Sequence, residues 1–281
     1  MMKYMGTKRN CLQGLVILLA VIVTLPLFAD EVQKVEPKKD DTVGLSISLI
    51  SEVKSIQPGE SFKVGVKIKH DPGFHTYWKS SGIVGVPTQV KWDLPEGFEV
   101  SSLCWPYPEL SKMAEYPCFG YERDIVLFMT VTPAEMINEK SVTLKANVNW
   151  MCCSNTCHPG FKTFTLNLPI GTGESDAKLA QLFQQALDEE PKTTKAIKAT
   201  MVPREDARKI MVKISTSEQI KIEYVFNSDG QTTPDLSSSL KKLDDHTWLY
   251  EAQRSEYSPK PSIQFPMVLK TSDGYFSIVA E

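Results

Sequence analysis

Residues 150–160, WMCCSNTCHPG, place Cys152, Cys153 and Cys157 within six positions and follow them with His158 and Pro159. Sulfur at that density supports three chemistries: thiol–disulfide exchange, binding of a soft metal ion, or nucleophilic attack with a histidine as base. Cys153 and Cys157 enclose Ser-Asn-Thr, a three-residue connection of the kind that closes β-hairpins. Cα atoms facing across such a hairpin lie about 4.5–5.5 Å apart, so the two sulfurs can bond without backbone rearrangement. At an accessible turn an attacking thiolate could reach that bond, which separates exchanging disulfides from purely structural staples. A protonated His158 beside Cys157 would favour the thiolate; as an exposed loop histidine it would do nothing, because adjacent side chains on a strand point apart.

Other readings stay open at this point. The same hairpin geometry with no partner describes a structural staple. Met151, Cys152, Cys153, Cys157 and His158 offer soft ligands for Cu(I), but their spacing lacks the paired C-x-x-C of zinc ribbons. Hydrolysis by a cysteine with His75 or His158 would need a third, orienting residue, and none is recognisable.

The elements that position these sulfurs are strands. In VTLKANVNWMCC, Val142, Leu144, Ala146, Val148 and Trp150 share one face while Thr143, Lys145, Asn147 and Asn149 share the other. Continuing the pleat sends Cys152 inward, as a small buried hydrophobe, and Cys153 outward. Phe62, Val64, Val66 and Ile68 alternate with polar neighbours in the same way, and LSISLI, TQVKW, FEVSSL, IVLFMTV and FTLNL complete about seven short strands. Such a run without helices predicts an all-β fold, an immunoglobulin-like antiparallel β-sandwich over 44–170. A short amphipathic helix follows in the linker 171–199, with Leu179, Leu182, Phe183, Ala186 and Leu187 on one side and Ser175 as its cap. Strand patterns return in IMVKIS, IKIEYVF, TWLYEA, PSIQFPMVL and YFSIVA, a second, smaller β domain over 200–281 that holds no cysteine. There Ile220, Ile222, Tyr224 and Phe226 fall on one parity.

Lys3, Lys8 and Arg9 precede the apolar LVILLAVIVTLPLFA, a secretory signal in outline over 1–29, with an uncleaved membrane anchor as the alternative. Residues 30–43 read as a charged tether. Without the signal, 28 basic residues face 34 acidic ones for a net charge of −6, which argues against nucleic acid as a partner. Export, to the periplasm or beyond, leaves five cysteines where disulfides form, an odd number. Cys104 and Cys118 bracket WPYPELSKMAEYP, which reads either as a loop pinned by a second disulfide or as a shield of Tyr107, Tyr116, Phe119 and Tyr121 over the redox pair.

HTYWKSSGIVGVPTQVKWDLPEGF, WPYPE, FGYERDIVL, NWMCCSNTCHPG and LNLP occur in an order and spacing that resembles the N-terminal periplasmic domain of the thiol:disulfide interchange protein DsbD, in the branch that includes the copper-sensitivity suppressor ScsB. The resemblance implies an immunoglobulin-like sandwich with one redox pair, here Cys153 and Cys157. Cys157 is the firmer match, and Cys152 is a rival for the first position. It further implies an aromatic cap within 113–121, with Tyr116, Phe119 and Tyr121 as candidates and Cys118 a departure. No membrane region follows in this chain, so electrons would come from a separate membrane-embedded thiol-transporting protein and pass to oxidised periplasmic proteins, without a cofactor. The competing expectation is a non-catalytic adaptor or copper-handling protein whose disulfides are structural.

Overall fold

A computed structural model describes residues 42–203, 206, 208–236, 239–258 and 263–281. The expected signal at 1–29 and nearly all of the tether at 30–43 lie outside the described residues.

The first ten strands are β1 (Leu45–Ser51), β2 (Phe62–His70), β3 (Thr76–Tyr77), β4 (Gln89–Asp93), β5 (Glu99–Val100), β6 (Glu109–Met113), β7 (Tyr116–Tyr121), β8 (Ile125–Thr132), β9 (Ser141–Cys153) and β10 (Cys157–Pro169). They form antiparallel sheets in the orders β1-β2-β8-β5, β10-β9-β4 and β3-β7-β6. The first two sheets face each other. Val66, Ile68 and Leu127 meet Ala146, Val148 and Trp150 at one end of the core, and Phe62, Val64 and Val131 meet Val142 and Leu144 at the other. Alternation along β2 and β9 thus does what period two predicts, with every inward residue of β9 from Val142 to Cys152 buried.

The expected loop between Cys104 and Cys118 is instead largely a hairpin, β6–β7, with Ser111 opposite Cys118. Its strands were illegible because prolines interrupt the pattern. The helix α1 (Ala177–Asp188) is capped by Asp176, whose carboxylate accepts from the backbone N–H groups of Lys178 and Leu179; the expected cap, Ser175, instead bridges to Val53. α1 lies over the outer face of β2 and β8, where Phe183 and Ala186 pack on Val126 and Phe128. Gly65 makes room for it, since a Cβ there would stand 2.9 Å from the Phe183 ring.

Beyond α1, β11 (Ile197–Met201), β12 (Lys209–Thr216), β13 (Ile222–Asn227), β14 (Leu240–Asp244), β15 (Thr247–Gln253), β16 (Phe265–Thr271) and β17 (Gly274–Ala280) form sheets β11-β12-β15-β14 and β13-β16-β17. These enclose a second core that includes Ile210, Val212, Ile214, Trp248, Phe265 and Met267. A register shift between Ile222 and Tyr224 breaks the parity read from the sequence. Ile220, Ile222 and Val225 enter the second core, whereas Tyr224 and Phe226 turn to the other face, against Phe119. The fold is all-β, an immunoglobulin-like sandwich followed by a short helix and a second, smaller β unit. Among the described residues no helix is long and apolar enough to cross a membrane.

Candidate functional site

Cys153 ends β9 and Cys157 opens β10, directly opposite each other in the hairpin register. They are joined by a disulfide, with Cα atoms 4.2 Å apart, slightly closer than the expected facing distance. The cause is local. Three residues are enough to reverse the chain, and Ser154 N–H donates to the Thr156 carbonyl across the loop.

The two half-cystines differ in access. Cys157 is exposed, while Cys153 is fully buried. The sequence placed Cys153 outward, and its side chain does leave the main core. That outward face, however, is covered by the β3-β7-β6 sheet, so the expectation of an accessible Cys153 is corrected. His75, just before β3, exchanges both backbone hydrogen bonds with Cys153 at 2.9 Å, which carries the third sheet onto the end of β9. Because the backbone groups of Cys153 are taken by His75, its pairing with Cys157 is the closer, non-hydrogen-bonded kind, in keeping with the short Cα separation.

A second, small cluster forms there from Tyr77, Cys118 and Cys153, with Val84, Met113 and Met151 against it. Polar groups link it to the disulfide. Cys118 Sγ lies 3.8 Å from His75 Nε2, that nitrogen lies 3.2 Å from the Tyr77 hydroxyl, and the hydroxyl donates to Cys157 Sγ at 3.9 Å. Burial sets the acid–base behaviour of the group. It holds the His75 imidazole below the ordinary histidine range, raises the Tyr77 phenol well above its own, and pushes the Cys118 thiol up to about 12. Tyr77 was not picked out from sequence, and His75 entered there only as a base for cysteine hydrolysis, not as a neighbour of the disulfide. Their signal was the i, i+2 spacing in FHTYW, which puts both side chains on one face of an extended segment.

Cys152 faces the main core and is a free, fully buried thiol, also pushed up to about 12 by burial. It lies on the opposite face from Cys153, so the soft-ligand set of Met151, Cys152, Cys153, Cys157 and His158 does not converge. His158 pairs opposite Cys152, its Nε2 is 3.0 Å from Thr156 Oγ1, and its ring centroid lies 6.2 Å from that of Phe74. Cys104 and Cys118 are both free thiols, contrary to the expected second disulfide. Cys104 packs beside Val126 and Phe128 under α1, in a different cluster from Cys118.

The proposed aromatic cap also divides. Tyr116 is exposed, whereas Phe119 and Tyr121 are buried away from the disulfide. Phe119 meets Trp78 and Phe226, and the Tyr121 hydroxyl donates to the Pro106 carbonyl at 2.9 Å. Tyr107 stacks on Tyr275 instead of shielding the pair. The residues of this hairpin that do reach the cysteine cluster are Cys118 and Met113.

On its open side Cys157 borders a groove of roughly 620 Å³ shared with Trp150, His158 and Phe161. The Trp150 ring lies across Gly160, where a Cβ would come within 2.3 Å of it, and Phe161 projects into solvent at 84% exposure. Two grooves of similar volume, lined mainly by the second β unit, contain neither cysteine nor histidine. Chemically, the arrangement offers one reachable sulfur bonded to one protected sulfur, with a phenol donor at the reachable one.

Residues 48–169 match the family described as thiol:disulfide interchange protein DsbD, N-terminal. Among solved structures the chain is similar to the N-terminal periplasmic domain of ScsB from Proteus mirabilis, with 15% identity and a TM-score of 0.63, over 85% of this chain and 94% of that one. An I-band fragment of titin matches at 12% identity and a TM-score of 0.19, over 83% and 64% of the two chains. The collagen adhesin of S. aureus matches at 8% and 0.17, over 85% and 93%. No curated protein sequence matches the chain.

Proposed function

We propose that residues 48–169, a domain of the DsbD N-terminal family, make this chain an exported thiol:disulfide exchange module that works through Cys153 and Cys157. The observation that carries the reading is the asymmetric disulfide: Cys157 exposed, Cys153 buried, the two held together by a three-residue turn. In the reduced molecule Cys157 is the sulfur a partner can reach. Its thiolate attacks a target disulfide, one target sulfur leaves as a thiolate, and a mixed disulfide forms on Cys157. Cys153 then attacks Cys157 Sγ, the 153–157 bond re-forms, and the target departs with both its sulfurs reduced. Tyr77, whose hydroxyl points at Cys157 Sγ, donates a hydrogen bond to the thiolate in the reduced state.

In this reading 44–170 is the exchange domain, 171–199 a helical linker and 200–281 a supporting β domain. Electrons arrive from a membrane-embedded thiol-transporting partner and leave to oxidised exported proteins. Equilibration in glutathione or dithiothreitol buffers, with trapping of free thiols, tests it. The pair is expected to titrate within about −120 to −270 mV, the range of exchange proteins. Cys157→Ser should abolish mixed-disulfide formation and Cys152→Ser should leave it intact. A 153–157 bond that resists reduction until the fold melts would make it a staple and sink the proposal.

A further inference from the structure

The cycle above leaves Cys118 without a role, yet this thiol is fully buried in one cluster with Cys153 and Tyr77. It is also the far end of a chain of polar contacts that runs through His75 and Tyr77 to Cys157 Sγ. A thiol placed there only to fill space would need no base beside it. We propose that Cys118 is a third exchange-competent sulfur, which attacks Cys153 Sγ from inside the protein, forms a Cys118–Cys153 disulfide and releases Cys157 as a free, exposed thiol.

The step balances within the molecule. The Cys153–Cys157 bond breaks, the Cys118–Cys153 bond forms, and the electron pair of the broken bond leaves on Cys157. One proton leaves Cys118 and one arrives at Cys157, so no oxidant or reductant is consumed. The contacts supply the path. With its ring proton on Nδ1, His75 accepts the Cys118 proton at Nε2 and passes it to the Tyr77 oxygen as the Tyr77 hydroxyl proton moves to the Cys157 thiolate. Burial keeps His75 neutral, the form able to accept, and makes a free Cys118 thiolate scarce, so attack depends on that adjacent base. The leaving sulfur belongs to the exposed residue of the three, and the new bond joins the two buried ones. An oxidised molecule thereby presents a nucleophile without first being reduced.

The inference concerns the same pair as the proposed exchange cycle but needs no partner, so its failure would leave that cycle standing. The oxidised full chain is incubated with iodoacetamide in the absence of reductant, acid-quenched and mapped by peptide mass. Carbamidomethyl is expected to accumulate on Cys157 together with a Cys118–Cys153 linked peptide, and labelling of Cys157 should fall at least tenfold in Cys118→Ser. His75→Gln should slow the labelling while leaving the identity of the new bond unchanged. Cys157 unlabelled in the wild type, or labelled equally in Cys118→Ser, overturns the proposal. Should Cys118→Ser not fold, Cys157→Ala oxidised with diamide provides an independent reading: a mapped 118–153 bond supports the proposal, and any other bond, or none, overturns it.

Discussion

Burial keeps the His75 imidazole neutral, and the same cause acts on His70, whose Nδ1 and Nε2 contact the Arg123 carbonyl at 2.7 Å and Thr76 Oγ1 at 3.0 Å. Charged groups nearby oppose this only in part, Glu122 acting on His75 and Asp124 and Glu109 on His70. In the unfolded chain both rings titrate near 6.5. Between that value and the lower folded one, the unfolded chain binds the additional protons, so stability is complete above about pH 6.5 and is lost as the pH falls below it. The thermal midpoint should hold steady from about pH 7 to 8 and decline toward pH 5, with a shallower decline in His75→Gln. A midpoint independent of pH over that range would contradict the buried neutral assignment. At this scale the sequence was informative about the pair itself. Cys153, Cys157 and the inward Cys152 follow from spacing and parity, whereas the company of Cys153 does not.

Among the elements, α1 shows where pattern reading stops. Its apolar positions were legible, but its target was not, because Gly65 and the lysines of β2 read as a solvated face. Phe183 is fully buried over that face. Phe183→Ala should therefore cost about 3–5 kcal/mol, the usual range for deleting a buried aromatic ring, measured as a lower urea midpoint with unchanged slope. A loss below about 1 kcal/mol would mean the helix is not seated as described. The β6–β7 hairpin was illegible for a different reason. Its strands are short, contain Pro117, and are stabilised by pairing with β3 and by the buried hydroxyl of Tyr121 rather than by an alternating pattern.

For the molecule as a whole, the two β units share apolar surface. Phe119 of β7 meets Phe226 at 5.0 Å between ring centroids, Tyr107 stacks on Tyr275 at 3.9 Å, and the Arg123 guanidinium lies 4.3 Å above Tyr107. Arg123 also pairs with Glu109 at 2.8 Å and with Glu189 at the end of α1 at 3.2 Å, so one cation ties β6, the helix and the stacked tyrosines together. Two sandwiches fused through such a core are expected to unfold together. Calorimetry should give one transition in the wild type and two in Phe226→Ala, with the β unit that carries no cysteine melting first. Two transitions already in the wild type would show that this shared surface contributes little.

The sequence by itself determined that Cys153 and Cys157 can bond and which strand faces carry the core, because hairpin closure and side-chain alternation depend on residues a few positions apart. Only the tertiary structure decided which sulfur is reachable and what surrounds the other. The cover over Cys153 comes from His75, Tyr77 and Cys118, which lie dozens of positions away in the chain and reach it only when a third sheet docks on the end of β9. Local periodicity carries no information about that encounter, since the same alternating strand could have been left open to water.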